Sequence, residues 1–135
     1  MAIEKFEDIE AWQLARELTQ AIYKTANQKG FSRDYGLRDQ IQRAAVLVMA
    51  NIAEGFDSQS NQTFLQFLSY AVRSSTEVQS HLYVALDQGY INETTFAELY
   101  KQTEEVKKND LRLYALPARQ RQKTLNYLKL SNFEL

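Results

Sequence analysis

A run of apolar and small residues, spaced alternately by four and three positions, limits the possible folds of this chain more than any other feature. It extends over three heptads, through Phe64, Leu68, Ala71, Ser75, Val78, Leu82 and Ala85. This spacing forms a continuous seam on one side of an α-helix and is typical of left-handed, near-parallel helix packing. Ser58 or Ser60 can accept hydrogen bonds from the free amides of the first turn, and Gly89 marks the predicted end. The run therefore predicts a long helix packed in a bundle.

Two segments before this helix also repeat apolar residues every three or four positions. The first covers about residues 8–28, with Asp8 as a suitable N-cap. The second begins near Ser32 or Tyr35 and is predicted to end at Gly55, because glycine most easily adopts the left-handed conformation that closes a helix. Four glycines and one proline in 135 residues are few for a turn-rich β-protein. Helices joined by short connections are therefore expected.

A fourth helix is predicted from Asn92 onwards, with a weaker seam than the third. Two polar residues, Thr103 and Asp110, stand at positions of its apolar stripe. They indicate a helix that is either peripheral or frayed towards its end. Proline is tolerated best in the first turn of a helix, so a short fifth helix is expected from Pro117 to about Lys129.

Four helices with short connections most simply form an up-down-up-down four-helix bundle, so the predicted fold class is all-α. The bundle is expected to span residues 1–116, and a basic C-terminal helix or tail residues 117–135. The chain has no cysteine, which excludes disulfides and thiolate metal sites. No apolar run approaches the roughly 18–20 residues of a membrane helix, and residues 1–10 do not resemble a signal peptide. A cytoplasmic protein without membrane contact is therefore expected.

Positive charge is concentrated near the C-terminus, although the net charge of the whole chain is −1. Residues 107–129 contain seven basic residues and one acidic residue, Asp110. The candidates for contacts with phosphate groups are Lys107, Lys108, Arg112, Arg119, Arg121 and Lys123. Clustered positive charge is what binding of RNA or DNA requires. A solvated tail, or a tail that docks on an acidic neighbouring subunit, explains the same residues.

Polar residues interrupt the apolar second helix at Arg43, Asn51 and Glu54, and Glu77 lies on the third helix. Arg43 and Glu54 are eleven residues apart, or about three helical turns, so they face roughly the same way. Arginine–carboxylate pairs are directional and can fix the register of packed helices. We therefore expect Arg43 to pair with Glu54 or Glu77, either inside the bundle or at a subunit junction. Contact with a ligand or with nucleic acid is the alternative.

A second apolar stripe on the third helix consists of Leu65, Val72 and Leu86. Phe67 and Tyr70 lie beside it, so the first half of the helix is apolar on most sides. A helix that is apolar all round is usually buried all round. The stripe therefore predicts an oligomer interface with further copies of the chain.

The sequence contains no recognisable catalytic arrangement. His81 is the only histidine and follows Glu77 by four residues, whereas di-iron bundles use two Glu-x-x-His motifs and further carboxylates. A nucleophilic triad would need a suitably placed serine or cysteine, and no glycine-flanked serine is present. The glycines are isolated, so there is no phosphate-binding loop. We predict a structural role for His81, with no catalytic residues, no metal site and no cofactor.

Several motifs, in order along the chain, carry a family resemblance. They are residues 6–12, 35–45, 51–56, 64–68 and 86–91, together with Ser75 and Glu77. This set resembles the bacterial four-helix-bundle proteins related to those encoded in intervening sequences of 23S ribosomal RNA genes. The resemblance implies a ring-like homopentamer. It also implies a fold similar to the accessory variability proteins of diversity-generating retroelements, which are basic pentamers that bind nucleic acid and a reverse transcriptase.

Two functions follow from these observations. The first is a non-enzymatic, homo-oligomeric helical interaction module whose partner is itself. The alternative is a nucleic-acid-binding accessory protein that uses the basic segment 107–129. The overall pI of about 5.9 counts against the second function, and the local basic cluster counts for it.

Overall fold

The computed structural model describes residues 4–58 and 60–115, which form four α-helices and two single-turn 3-10 helices. The α-helices are α1 (Glu10–Ala26), α2 (Tyr35–Asp57), α3 (Asn61–Asp87) and α4 (Glu93–Ala115), and the 3-10 helices are Phe6–Asp8 and Phe31–Arg33. Each α-helix packs against the next, and α4 returns to α1. The described residues contain no β-strand. The predicted all-α four-helix bundle is confirmed, whereas the predicted C-terminal helix and the boundary at residue 116 lie outside the described residues.

The seam predicted for α3 faces the interior of the bundle. All seven of its residues are buried, as expected for a helix with neighbours on both sides. Ser60 is the N-cap, because its hydroxyl accepts a hydrogen bond from the Thr63 amide at 3.0 Å. Gly89 follows the helix with φ +75°, a conformation that favours glycine.

The predicted end of α2 at Gly55 is wrong. The helix continues to Asp57, and Gly55 is buried within it without a positive φ. A Cβ atom at Gly55 would lie 3.2 Å from Cβ of Phe67 and 3.3 Å from Cδ1 of Phe64. Gly55 therefore allows α2 and α3 to approach closely, which is a packing role rather than a capping role.

The N-terminal cap of α1 also differs from prediction, whereas α2 begins at Tyr35, one of its two predicted starts. Asp8 does not cap α1, which begins at Glu10. Its carboxylate instead accepts hydrogen bonds from the amides of Glu4 and Lys5 at 3.0 and 3.3 Å. At α2 the cap is Asp34, whose Oδ1 accepts from the Leu37 amide at 3.1 Å. Fixing these cap positions requires the local turn geometry in addition to apolar spacing.

Asp34 also ties the connection after α3 to the start of α2. Its Oδ2 accepts a hydrogen bond from the Tyr90 hydroxyl at 3.0 Å, and this bond raises the pKa of Tyr90 above its ordinary value. The Tyr90 ring stacks on Phe31 with a centroid separation of 5.5 Å. These contacts close this end of the bundle.

The helix α4 is neither peripheral nor frayed over its described length, so that prediction is wrong. It is continuous to Ala115, and Thr103, Val106 and Asp110 are completely buried. The Thr103 hydroxyl donates to the Leu99 carbonyl at 2.7 Å, so its polarity is satisfied within the helix.

Asp110 is the exceptional residue of this core. Its side chain has no exposed surface, and neither carboxyl oxygen has a hydrogen-bond partner among the described residues. Burial raises the pKa of Asp110 to about 8, because removal from water disfavours the charged form. The carboxyl is therefore mainly protonated at neutral pH, which lets it remain in an apolar position.

Candidate interaction surface

The predicted interface stripe divides into two environments. Leu65 and Val72 are half-buried on one flank of α3, whereas Leu86 packs against the main hydrophobic core. The three residues therefore do not form one exposed stripe. The portion available to a partner lies in the first half of α3.

Contacts between α3 and α4 fix the position of this flank. The Gln79 side-chain amide donates to Oε2 of Glu104 at 2.6 Å, and Lys107 donates to Oε1 of Gln79 at 3.5 Å. The two helices are antiparallel, so a step towards the start of α3 matches a step towards the end of α4. One heptad before Gln79 lies Val72, and one heptad after Glu104 lies Leu111. These two residues lie at the same level of the bundle on the same flank.

Leu111 belongs to an exposed patch on α4. It is 43% exposed, and the cationic side chains of Lys108 and Arg112 beside it are also exposed. Lys108 is three residues before Leu111 and Arg112 directly follows it, so one helical turn holds all three. We call Lys108, Leu111 and Arg112 the basic patch. Leu111 was not predicted from the sequence, although an apolar residue outside the α4 seam is a detectable signal.

A groove with acidic walls lies between the first 3-10 helix and the last turns of α2. It has a volume of about 470 Å³, and its lining consists of Lys5, Phe6, Glu7, Ala53, Glu54, Phe56 and Asp57. Phe6, Ala53 and Phe56 supply the apolar part, whereas Glu7, Glu54 and Asp57 are exposed carboxylates. We call these seven residues the acidic groove. Sequence periodicity could not reveal it, because it depends on the 3-10 helix folding back onto α2.

The predicted pairing of Arg43 inside the bundle is wrong. Arg43, Glu54 and Glu77 are all exposed, and half-buried Asn51 donates to the Leu47 carbonyl at 2.8 Å. Among the described residues, Arg43 forms no ion pair within 4.0 Å. The eleven-residue separation gives Arg43 and Glu54 a similar direction but also about 16 Å of helix between them. Pairing at a subunit junction stays a prediction.

Glu77 approaches His81 instead of Arg43. Oε1 of Glu77 lies 3.8 Å from Nε2 of His81, and the His81 side chain is 15% exposed. In the part of the chain that the structure describes, no group of three or more histidine, aspartate or glutamate side chains is arranged to hold a metal ion. Nothing in this arrangement suggests catalysis.

The six predicted phosphate contacts occupy different environments. Lys107 is half-buried and bonded to Gln79, whereas Lys108 and Arg112 are exposed on α4. Arg119, Arg121 and Lys123 lie outside the described residues. The described structure thus brings together two of the six as exposed neighbours.

Comparison with known proteins identifies the family. The family model described as 23S rRNA-intervening sequence protein matches residues 7–109. The chain belongs to this family. The match confirms the resemblance carried by the ordered motifs.

A solved structure supports the same fold. It is the crystal structure of a protein with unknown function from the S23 ribosomal protein family of Bacteroides thetaiotaomicron VPI-5482. Sequence identity is 20%, the TM-score is 0.73, and the match covers 78% of this chain and 99% of that chain. At this identity the likeness shows the fold alone. A search of curated protein sequences gives no significant match.

Across residues 4–58 and 60–115, none of the helices combines the length and the apolar character needed to span a bilayer.

Proposed function

We propose that this family member is a non-enzymatic, cytoplasmic helical module that acts by assembling with copies of itself. The observation that carries the proposal is the apolar flank of two neighbouring helices, where half-buried Val72 of α3 and exposed Leu111 of α4 lie at the same level of the bundle. Exposed apolar surface on neighbouring helices is a common feature of protein–protein contacts. The family resemblance implies five copies.

The primary test is the mass of the purified protein by light scattering during gel filtration. The chain mass is 15.7 kDa, and we expect a several-fold larger particle at micromolar concentration. A stable monomer under these conditions would refute the proposal.

Substitution on α3 tests the location of the interface. Leu65→Lys or Val72→Lys should dissociate the particle, because burying an ammonium group without a partner is strongly unfavourable. Val84→Lys is the matched control, since Val84 is 42% exposed on the same helix but about 120° around it from Val72. Circular dichroism should show that all three variants remain folded. Dissociation by Val84→Lys as well would contradict this location.

A second candidate function is binding of single-stranded RNA or DNA. Exposed Lys108 and Arg112 support it, because they precede the basic residues Arg119, Arg121 and Lys123 in the sequence. Affinity should fall with salt, with a logarithmic slope of about −0.7 for each phosphate contact. Truncation after Leu116 should abolish binding. Binding that survives truncation, or that is insensitive to salt, would contradict this function.

A further inference from the structure

The two charged surfaces of the bundle have complementary chemistry. The acidic groove places three exposed carboxylates and one lysine around apolar Phe6, Ala53 and Phe56. The basic patch has the inverse arrangement, with two exposed cations around exposed Leu111. Within the described residues, neither cation of the patch forms an ion pair within 4.0 Å, and neither do Glu54 and Asp57.

The fold prevents the two surfaces from meeting within one chain. Both α2 and α4 pack against α1 and α3, so α2 and α4 occupy opposite corners of the bundle. The groove lies at the end of α2, and the basic patch lies near the end of α4. The antiparallel order places both at the same end of the bundle but on opposite sides.

We propose that the basic patch of one copy docks into the acidic groove of the next copy. Leu111 would cover apolar Ala53 and Phe6, while Lys108 and Arg112 would face the carboxylates of the groove. This inference rests on the homo-oligomerisation proposed above and identifies the two surfaces that meet.

The spacing of the charges suits this contact. Lys108 and Arg112 are four residues apart on one helix, and Glu54 and Asp57 are three residues apart on the other. Both intervals bring side chains to within about one helical turn, roughly 5–6 Å between Cβ atoms. Arg112 can also bind a carboxylate through two parallel hydrogen bonds, which adds direction to the charge attraction.

The proposed contact is heterologous, because the patch and the groove lie on opposite sides of one bundle and cannot both engage the same neighbour. An open assembly then has one free patch at one end and one free groove at the other until it closes. Such contacts form rings where the rotation closes and filaments where it does not. A symmetric dimer made by pairing identical surfaces is incompatible with this contact.

Charge reversal provides the first test. Two double variants reverse the charges: Lys108→Glu with Arg112→Glu in the patch, and Glu54→Lys with Asp57→Lys in the groove. Each should shift the particle mass towards that of the monomer. Combining all four substitutions restores opposite charges, so it should recover the oligomer. Lys101→Glu is the control on α4, because Lys101 is exposed and lies one heptad before Lys108. It should leave the mass unchanged.

Cysteine cross-linking provides a test that does not depend on dissociation. The natural chain has no cysteine, so any disulfide reports only the introduced pair. Ala53→Cys combined with Leu111→Cys should give a ladder of covalent multimers under mild oxidation, whereas neither single variant should cross-link. Cross-linking by Leu111→Cys alone would show a symmetric contact and would overturn the proposal.

The possible outcomes distinguish docking of the basic patch into the acidic groove from homo-oligomerisation in general. A wild-type monomer refutes homo-oligomerisation itself. A wild-type oligomer that persists in both charge-reversed variants and gives no mixed-cysteine ladder refutes only the docking of patch into groove. Dissociation in both variants without recovery in the fourfold variant also overturns it, because the two surfaces then act separately. If the variant with Lys108→Glu and Arg112→Glu loses RNA binding without a change in particle mass, the patch binds nucleic acid and the docking proposal is overturned.

Discussion

Replacing Asp110 by asparagine should change how the stability of the bundle depends on pH. Asp110 is buried on α4 with both carboxyl oxygens unpartnered among the described residues. Burial alone raises the pKa of this carboxyl from the ordinary 3.8 to about 8. Asparagine has almost the same shape but cannot ionise, so the comparison isolates the cost of charge in the core.

The size of the pH effect on the free energy of unfolding follows from proton binding to the folded and unfolded chains. Below pH 3.8 both states hold the Asp110 proton, whereas between 3.8 and about 8 mainly the folded state holds it. The folded chain therefore binds more protons in this range, and the free energy of unfolding falls as pH rises. The decrease is about 1.4 kcal/mol per pH unit. Between pH 5 and pH 7, wild type should lose about 2.7 kcal/mol relative to Asp110→Asn.

Urea denaturation of both proteins at several pH values measures this difference. All samples need the same protomer concentration, because assembly also affects apparent stability. Other groups titrate alike in both proteins, so their contributions cancel in the difference. The neutral carboxyl and the amide are both buried without partners, at about 1–3 kcal/mol each, so the advantage of asparagine should appear only as pH rises. A stability difference that is constant from pH 5 to pH 8 would refute the reasoning.

Other substitutions give smaller effects that thermal denaturation can measure. Gly36→Ala should stabilise by about 0.5–1 kcal/mol, because Gly36 is helical and exposed. Gly55→Ala should instead destabilise, because its Cβ would crowd Phe67 and Phe64. Tyr90→Phe should cost about 1 kcal/mol by removing the hydrogen bond to Asp34. Arg43→Ala should change stability by less than about 1 kcal/mol, because Arg43 is exposed. A loss of several kcal/mol would instead place Arg43 at a subunit junction.

Helix positions could be predicted from sequence because the signal is local and repeated. Six apolar seam positions on α3 agree with one another, so the polar seventh position, Ser75, does not alter the assignment. Ser75 is buried, and its hydroxyl donates to the Ala71 carbonyl at 2.9 Å. A small hydroxyl that bonds within its own helix can therefore occupy a core position.

Gly55 and Asp110 could not be interpreted correctly from local patterns. Glycine near a helix end usually predicts a cap, but the nearby side chains of Phe64 and Phe67 account for Gly55 in the structure. Aspartate in an apolar seam usually predicts exposure, but α4 remains helical and buries Asp110 completely. In both cases the deciding contacts involve helix packing that the local pattern does not show.

The division of the Leu65, Val72 and Leu86 stripe has a geometric cause. Residues seven apart do not return to the same direction on a straight helix, because two turns contain 7.2 residues at about 3.6 per turn. The direction shifts by about 20° per heptad, so Leu86 lies about 60° around α3 from Leu65. This rotation turns the stripe from the flank towards the main core, against which half-buried Leu86 packs. A heptad stripe can therefore predict an interface at one end of a helix and a core contact at the other. For this protein, it confines the candidate assembly surface on α3 to the half beside Leu111.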